Sequence, residues 1–333
     1  MSYFTPIIGG IILKTILVLH TGGTISMSED QTTGKISPSS ENPLKKRSHL
    51  FDKLANMIVE DFLHLPSPHI TPKEMLLIKN RIEKAIANHE ADAVVITHGT
   101  DTLEETAYFL DLTLKTSIPI IVTGAMRSIN EIGSDGLYNF QSAIWVALSD
   151  EAKEKGVLVV MNDEIHTARY VTKTHTSNVA TFRTPTFGPI GLISKNEVLF
   201  FQKLIEEDVY SINNVAKNVY LLKVYAGMDG TLFDALNQPT TDGLVIEALG
   251  AGNLPPTALP ALKRLLANHI PVVLVSRSFN GIAQDVYDYV GGGKRLKEDG
   301  VIFTNGLSGP KARIKLQVVL SQDTLTRSLE DYF

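Results

Sequence analysis

The sequence predicts an α/β protein with a larger N-terminal domain, built on a doubly wound and mostly parallel sheet, and a smaller C-terminal α/β domain. Short β-rich runs that are apolar on both faces alternate with amphipathic helical stretches, which is typical of parallel sheets covered by helices. The alternation stops near residue 192, where the pattern becomes charged and irregular, and it restarts near residue 219. We therefore expect an N-terminal domain at 12–200, a linker at 201–217 and a C-terminal domain at 218–333.

Continuous apolar composition identifies the strands of the N-terminal domain, and apolar residues three and four positions apart identify its helices. The polar stretch at 26–48 follows the first strand and holds too few apolar residues to form core, so we expect a lid there. The predicted strands are 16–19, 93–97, 118–123 and 156–161, and the predicted helices are 72–88, 102–115 and 137–148.

The C-terminal domain repeats the alternation with fewer helices. Its strands are again short and apolar, which predicts a second buried sheet. The predicted strands are 219–224, 243–247, 271–276 and 300–304, and the predicted helices are 259–268 and 312–321.

Composition excludes several classes of protein. The 31 basic and 36 acidic side chains give a net charge of −5, so the chain lacks the basic balance of a nucleic-acid binder. The absence of cysteine excludes disulfides, thiolate nucleophiles and cysteine-bound zinc. The nine histidines show no metal-binding spacing, so we expect no metal site. The apolar run at 7–19 is too short to span a bilayer and lacks a cleavage site, so we expect no membrane partner, a cytoplasmic location and a loose extension at 1–11.

The first polar strand end has the sequence HTGGTI and begins at His20. In open α/β sheets, ligands bind outside the carboxyl ends of the strands. Gly22 and Gly23 allow a sharp turn and a close approach of the backbone to a ligand, and Thr24 adds a hydroxyl. A dinucleotide-binding loop is a weaker interpretation because its glycine spacing is absent, and a plain turn would explain the two glycines alone.

The second polar strand end has the sequence THGTDT and begins at Thr97. A capping box, formed by Asp101 with Glu104 or by Thr102 with Glu105, would explain two of its polar residues. A histidine and two threonines, Thr97, His98 and Thr100, remain unexplained. A strand end with more hydrogen-bonding groups than a turn requires indicates a site.

Two hydroxyls at neighbouring strand ends, one beside a carboxylate, suggest nucleophilic catalysis. A threonine hydroxyl is a weak nucleophile at neutral pH and needs a base nearby. The stretch VTKT at 171–174 offers Lys173, because a partly desolvated lysine can accept a proton. A lysine considered alone is more often an ordinary surface residue.

These stretches together resemble the bacterial-type L-asparaginases. The segments TGGTI at 21–25 and VITHGTDT at 95–102 are similar to the two signatures of that family, and the pair in this order is highly specific. The similarity covers nearly the whole chain from about Lys14, and it continues through AYFLDL at 107–112, GAMR at 124–127, SDG at 134–136, VTKT at 171–174 and GAGNL at 250–254.

The resemblance implies hydrolysis of the side-chain amide of L-asparagine to L-aspartate and ammonia, without a cofactor and with some glutaminase activity allowed. Thr24 would be the nucleophile. Thr100, Asp101 and Lys173 would form a second hydroxyl–carboxylate–amine set that activates a hydroxyl or water and moves the proton to the leaving ammonia. The backbone N–H of Thr100 would help to bind the oxyanion.

The resemblance also implies how the substrate is held. Ser67 would bind the substrate α-carboxylate and Asp101 would face the α-ammonium. Asn253 would come from a neighbouring subunit, since the family forms its sites at a subunit contact in a homodimer or homotetramer. The implied substrate-binding residues are Gly23, Ser67, Gly99, Thr100, Asp101, Asn253 and Tyr287.

The sequence departs from the family pattern at three places. The lid lacks the usual tyrosine, and Lys35 lies nearest to its expected position. Pro68 replaces a common glutamine. Tyr287 falls where many members have a glutamate that reaches the α-ammonium from the neighbouring subunit. We hypothesise that Tyr287 supplies the phenol that the lid lacks, while packing at an interface without a catalytic part would explain it equally well.

Two other functions are compatible with the motifs. The amidohydrolase subunit of a tRNA-dependent amidotransferase shares them, but it usually carries an extra N-terminal domain, and only about twenty residues precede Thr21 here. An amino-acid sensor with impaired catalysis would fit the altered α-ammonium positions. The retained Thr24, Thr100, Asp101 and Lys173 count against a sensor, which needs neither two hydroxyls nor a base.

Overall fold

The computed structural model describes residues 7–8, 11–29, 33, 36–38, 44, 48–115, 117–205 and 208–333. The chain divides into two compact units between Val209 and Tyr210. Most of the predicted lid, Lys35 included, lies outside the described residues.

The first unit contains short strands that are mostly organised into one large sheet. They are β1 (Ile7–Ile8), β2 (Ile11–Ile12), β3 (Thr15–His20), β4 (Met27–Glu29), β5 (Ile36–Pro38), β6 (Asn56–Asp61), β7 (Ala93–Thr97), β8 (Ile120–Thr123), β9 (Val157–Met161), β10 (Glu164–Thr167), β11 (Thr172–Lys173), β12 (Phe182–Arg183), β13 (Gly191–Ser194) and β14 (Glu197–Phe200).

Eight of these strands form a mixed sheet in the order β14-β13-β10-β9-β8-β7-β3-β6. The run from β6 to β9 is parallel, and β10, β13 and β14 extend it antiparallel. Strands β7, β8 and β9 are buried along their whole length, which explains why their sequences are apolar on both faces. Strands β4 and β5 pair as an antiparallel ladder within the stretch predicted as a lid.

Three helices accompany this sheet: α1 (Pro72–Ala87), α2 (Leu103–Thr113) and α3 (Gly136–Leu148). Helix α3 packs on the face that presents alternate residues of β3, β7 and β9, in a core that contains Phe140 and Ile144. A capping box begins α1, where Thr71 and Glu74 satisfy each other's backbone N–H groups. None of the helices in the described part of the chain is long and apolar enough to cross a membrane.

The second unit has a parallel sheet in the order β15-β16-β17-β18. Three helices share a core on one face of it, and the fourth covers the other face, where Leu316 lies against Gly243. The strands are β15 (Val219–Lys223), β16 (Gly243–Ala248), β17 (Val272–Ser276) and β18 (Ile302–Phe303), and the helices are α4 (Thr231–Leu236), α5 (Leu259–Ala267), α6 (Gly293–Glu298) and α7 (Gly309–Leu320).

The structure confirms the predicted fold class and each predicted strand and helix, with shifts of up to three residues at their ends. The charged stretch that begins near residue 192 starts with the β13–β14 hairpin, whose alternation of buried and exposed residues was obscured in the sequence by its charges. One expectation was wrong, because the N-cap residue of α2, Thr102, makes no side-chain capping bond.

Candidate active site

The two polar loops leave the sheet side by side. Strands β3 and β7 are parallel neighbours with His20 opposite Thr97, so both loops start at the carboxyl edge of the sheet. The Thr21 N–H and hydroxyl both donate to the Thr97 carbonyl, at 3.0 and 2.9 Å. His20 Nδ1 and Thr97 Oγ1 are 2.7 Å apart across the same strand pair. These buried bonds fix the starting direction of each loop.

Glycines bring the loops into contact. A Cβ atom on Gly23 would lie 2.2 Å from the Cα of Gly99, and Gly23 has a φ of 81°. A Cβ atom on Gly99 would lie 2.8 Å from Oγ of Ser67. Only glycine fits at both positions, and the next residue in each loop is a threonine, Thr24 in one and Thr100 in the other.

Thr24 begins a short 3-10 turn, Thr24–Ser26, directly after the glycine contact. The residue is half-buried, and its hydroxyl makes no hydrogen bond to any residue that the structure describes. This leaves the hydroxyl available for a ligand that enters between the loops.

Lys173 reaches the second loop from β11. Its Nζ is 3.0 Å from Oγ1 of Thr100 and 2.7 Å from Oδ1 of Asp101. The lysine side chain is 15% exposed and the aspartate side chain 60% exposed, so the amine is held inside while the carboxylate faces outwards. A partly exposed ion pair of this kind contributes little to stability, so its importance lies in where it places the amine.

Glu104, in the first turn of α2, holds the strand that carries Lys173. Its Oε1 accepts hydrogen bonds from Thr172 Oγ1 at 3.2 Å and from the Lys173 N–H at 3.3 Å. The predicted capping box therefore does not form, because Glu104 binds a strand remote in sequence. Thr102 likewise uses its hydroxyl elsewhere and donates to the Ser67 carbonyl at 2.8 Å. Sequence patterns missed these roles because the partners are about 70 and 35 residues away.

Ser67 lies beneath the second loop in the 3-10 turn Ser67–His69, which also contains Pro68. It is 4% exposed, and its Oγ accepts a hydrogen bond from the Asp101 N–H at 3.2 Å. A hydroxyl that accepts from the backbone keeps its own proton free to donate to a ligand.

His98 is fully buried behind the second loop. Its Nδ1 is 2.8 Å from the Gly99 carbonyl oxygen and its Nε2 is 2.9 Å from Oγ1 of Thr106 on α2. Burial lowers the pKa of His98 to about 4, against a smaller opposing effect of the bond to Gly99. The ring is therefore neutral at physiological pH. The sequence pattern left this histidine without a role.

The remaining predicted residues, Asn253 and Tyr287, belong to the second unit. Asn253 follows a turn with two glycines at positive φ, and its Oδ1 accepts a hydrogen bond from the Gly293 N–H at 3.3 Å. The Tyr287 side chain is 48% exposed, with its ring 5.8 Å from that of Tyr289. Both residues thus lie at the surface loops of their own unit.

The cluster in the first unit combines two hydroxyls, an amine held against a carboxylate, and a close contact between two glycines. Among the described residues, no group of His, Asp or Glu side chains is arranged to hold a metal ion. The groups present are suited to attack on a carbonyl carbon and to proton transfer.

Comparison with known proteins gives the same family for both units. Residues 15–206 match the family model described as "Asparaginase, N-terminal", and residues 218–333 match "Glutaminase/Asparaginase C-terminal domain". The "L-asparaginase" of Bacillus licheniformis is 34% identical over 92% of this chain and 96% of its own length. The "Probable L-asparaginase" of Deinococcus radiodurans is 39% identical over 93% of this chain and 94% of its own length.

A solved structure shares the whole fold. The crystal structure described as "Probable Cytoplasmic L-asparaginase from Campylobacter jejuni" has a TM-score of 0.84 and 33% sequence identity, and the match covers 96% of this chain and 98% of that one. The family models span both units, and the relatives are more than 30% identical along nearly their full length. Both findings assign the chain to the same family. This chain belongs to the asparaginase family.

Proposed function

We propose that this protein is an L-asparagine amidohydrolase that converts the side-chain amide to L-aspartate and ammonia through a threonine nucleophile. The observation that carries the proposal is Lys173 Nζ, within hydrogen-bonding distance of both Thr100 Oγ1 and Asp101 Oδ1, beside the loop that presents Thr24. Membership of the asparaginase family and the names of the relatives support the same reaction.

In the first half of the reaction, Thr24 Oγ1 attacks the side-chain carbonyl carbon of asparagine. The C=O π electrons move to the oxygen, and the Thr100 N–H stabilises the resulting oxyanion. The proton of the Thr24 hydroxyl is transferred to the amide nitrogen. The C–N bond then breaks, ammonia leaves, and aspartate remains as an ester on Thr24.

In the second half, water attacks the ester carbon and the C–O bond to Thr24 breaks. Lys173 passes a proton to Asp101 Oδ1 across 2.7 Å and accepts the Thr100 hydroxyl proton across 3.0 Å. Thr100 then takes a proton from the attacking water, and the relay returns a proton to Thr24 as aspartate is released. The same relay serves the departing ammonia in the first half.

Substrate binding uses the groups that flank the nucleophile. Ser67 donates its hydroxyl proton to the α-carboxylate, and Asp101, whose carboxylate faces outwards, binds the α-ammonium. Gly23 and Gly99 allow the backbone to approach the amide closely. Asn253 and Tyr287 complete the site from a neighbouring subunit, in a homodimer or homotetramer. Tyr287 in particular provides a phenol that the lid lacks, and full turnover in Tyr287→Phe would exclude this role.

An ammonia-release assay on L-asparagine, L-glutamine and their D-forms tests the proposal, with Thr24→Ala as the matched inactive variant. We expect release from L-asparagine, slower release from L-glutamine, and almost none from Thr24→Ala. Release that survives in Thr24→Ala would assign the nucleophile to Thr100. Tight amino-acid binding without release would indicate a sensor, and release only with charged tRNA present would indicate an amidotransferase subunit.

We also propose a cytoplasmic location, as described for the Campylobacter jejuni protein.

A further inference from the structure

We propose that His98 is a positioning residue that aims the Thr100 N–H at the oxyanion of the tetrahedral intermediate. The inference rests on the proposed amidohydrolase function and adds to it a residue that touches neither the substrate nor the reacting atoms. His98 acts through the peptide bond between Gly99 and Thr100.

The geometry of that peptide carries the inference. The chain contains no cis peptide among its described residues, and in a planar trans peptide the C=O and N–H point in opposite directions. The Gly99 carbonyl points at His98, since its oxygen lies 2.8 Å from Nδ1. The Thr100 N–H therefore points away from His98, out of the buried layer behind the loop.

That N–H is available for a ligand. Thr100 is only 6% exposed, yet its N–H makes no hydrogen bond to any residue in the described part of the chain. Backbone donors at buried positions are rarely left unpaired, so an unpaired one at this place indicates a ligand atom as its partner. The donor belongs to the same residue whose hydroxyl contacts Lys173.

The Gly99 carbonyl selects the tautomer on which the arrangement depends, and Thr106 stabilises it. A carbonyl oxygen can only accept, so Nδ1 of His98 must carry the ring proton. Nε2 is then an acceptor, and the Thr106 hydroxyl, 2.9 Å away and fully buried, must donate to it. The other tautomer would face the Gly99 carbonyl with a lone pair. Because both ring nitrogens are hydrogen-bonded, His98 fixes the conformation of the loop and does not act as a base.

The hydrogen bond from His98 is needed because residue 99 is glycine. A Cβ there would collide with Ser67, so no larger residue fits. Glycine leaves the backbone free to adopt other peptide orientations, including one that turns the carbonyl into the site. The bond from His98 Nδ1 stabilises the orientation with the N–H facing the ligand.

Two substitutions of similar size separate this role from simple packing. His98→Asn places its amide nitrogen near the position of Nδ1 and can still donate to Gly99, whereas His98→Gln places its amide near Nε2 and cannot. Removal of an oxyanion donor typically costs about 100-fold to 1,000-fold in kcat. We expect His98→Gln to lower kcat about 100-fold with KM changed less than about threefold, and His98→Asn to recover kcat to within about tenfold of the wild type.

The affinities for two ligands give a second test, because a simple packing defect would not change one affinity without the other. An aldehyde analogue of asparagine forms a hemiacetal with the nucleophile, whose oxygen occupies the oxyanion position, whereas L-aspartate forms no such adduct. We expect His98→Gln to lose affinity for the aldehyde about as much as it loses kcat, while its affinity for L-aspartate stays unchanged. Equal losses for the two ligands, or equal kcat in the two variants, would overturn the inference.

Thr106→Val and Thr106→Ser repeat the test at the other end of the ring, should the histidine variants fail to fold. Valine leaves Nε2 without the hydroxyl that stabilises this tautomer and should lower kcat with KM preserved, whereas serine should restore it. A wild-type protein that releases no ammonia would contradict the proposed function itself. An active wild type whose Thr106→Val variant keeps full kcat would contradict only the role of His98.

Discussion

The Cα atom of Gly99 lies 2.2 Å from the point where any residue but glycine at position 23 would carry its Cβ atom. These two glycines are 76 residues apart in the chain, and the parallel pairing of β3 with β7 brings them together. Each is followed by a threonine. The contact between the glycines thus sets the positions of the two hydroxyls, Thr24 and Thr100, on which the proposed chemistry depends.

Gly23→Ala should therefore abolish activity by displacing the two loops. The new methyl group must push the backbone of residue 99, and alanine at a φ of 81° is strained by about 1–3 kcal/mol. Gly227→Ala is the control, because Gly227 has a φ of 77° with nothing within 4 Å of its added Cβ. We expect a loss of kcat of at least about 100-fold in Gly23→Ala and none in Gly227→Ala, with urea unfolding as the measure of stability. Comparable activity in both variants would show that the glycine contact is irrelevant to the site.

Lys173→Met should lower kcat far more than it weakens substrate binding. Methionine fills a similar volume but removes the amine that contacts Thr100 and Asp101, so proton transfer is lost while the pocket keeps its shape. We expect kcat to fall at least about 100-fold, which is within the range of general acid–base catalysis, with L-aspartate affinity within about threefold. Lys263→Met, which removes an exposed ion pair with Asp299, is the control and should keep full activity. If aspartate binding alone suffers in Lys173→Met, the lysine is a positioning charge.

Glu104→Leu should reduce activity through the position of Lys173. Leucine removes the oxygen that accepts from the Lys173 N–H and from Thr172, so β11 loses its bond to α2. Glu104→Gln keeps an acceptor oxygen at the same place and should preserve most of the activity. We expect kcat to fall about tenfold to 100-fold in the leucine variant and less than about threefold in the glutamine variant. Equal kcat in the leucine variant and the wild type would show that the β11 hairpin holds Lys173 without help.

The sequence predicts those features of the structure that depend on neighbouring residues, and it does not predict contacts between residues that are far apart in the chain. Strands such as β7 are buried on both faces, so their apolar composition alone identifies them, and glycine after a strand end marks a close approach. The role of Glu104 is different, because a glutamate in the first turn of a helix normally suggests a cap, and only the folded chain brings Thr172 to it. His98 is a similar case, since its two partners belong to a loop and a helix whose packing no local pattern encodes.

The burial of His98 also predicts how stability depends on pH. Its pKa falls from 6.5 to about 4 on folding, so the unfolded chain binds this proton more tightly than the folded protein does. The stability that neutral His98 contributes is therefore complete above pH 6.5 and is lost as the pH falls towards 4. Between pH 7 and pH 5 the loss amounts to about 2 kcal/mol.

His98→Asn isolates this contribution, because asparagine does not titrate and all other groups stay the same. We expect the urea midpoint of the wild type to fall more steeply between pH 7 and pH 5 than that of His98→Asn, so that the two proteins become closer in stability as the pH drops. Parallel pH profiles would mean that folding leaves the pKa of His98 unchanged. In that case Nε2 would gain a proton as the pH falls, and the Thr106 hydroxyl would accept from the ring instead of donating to it.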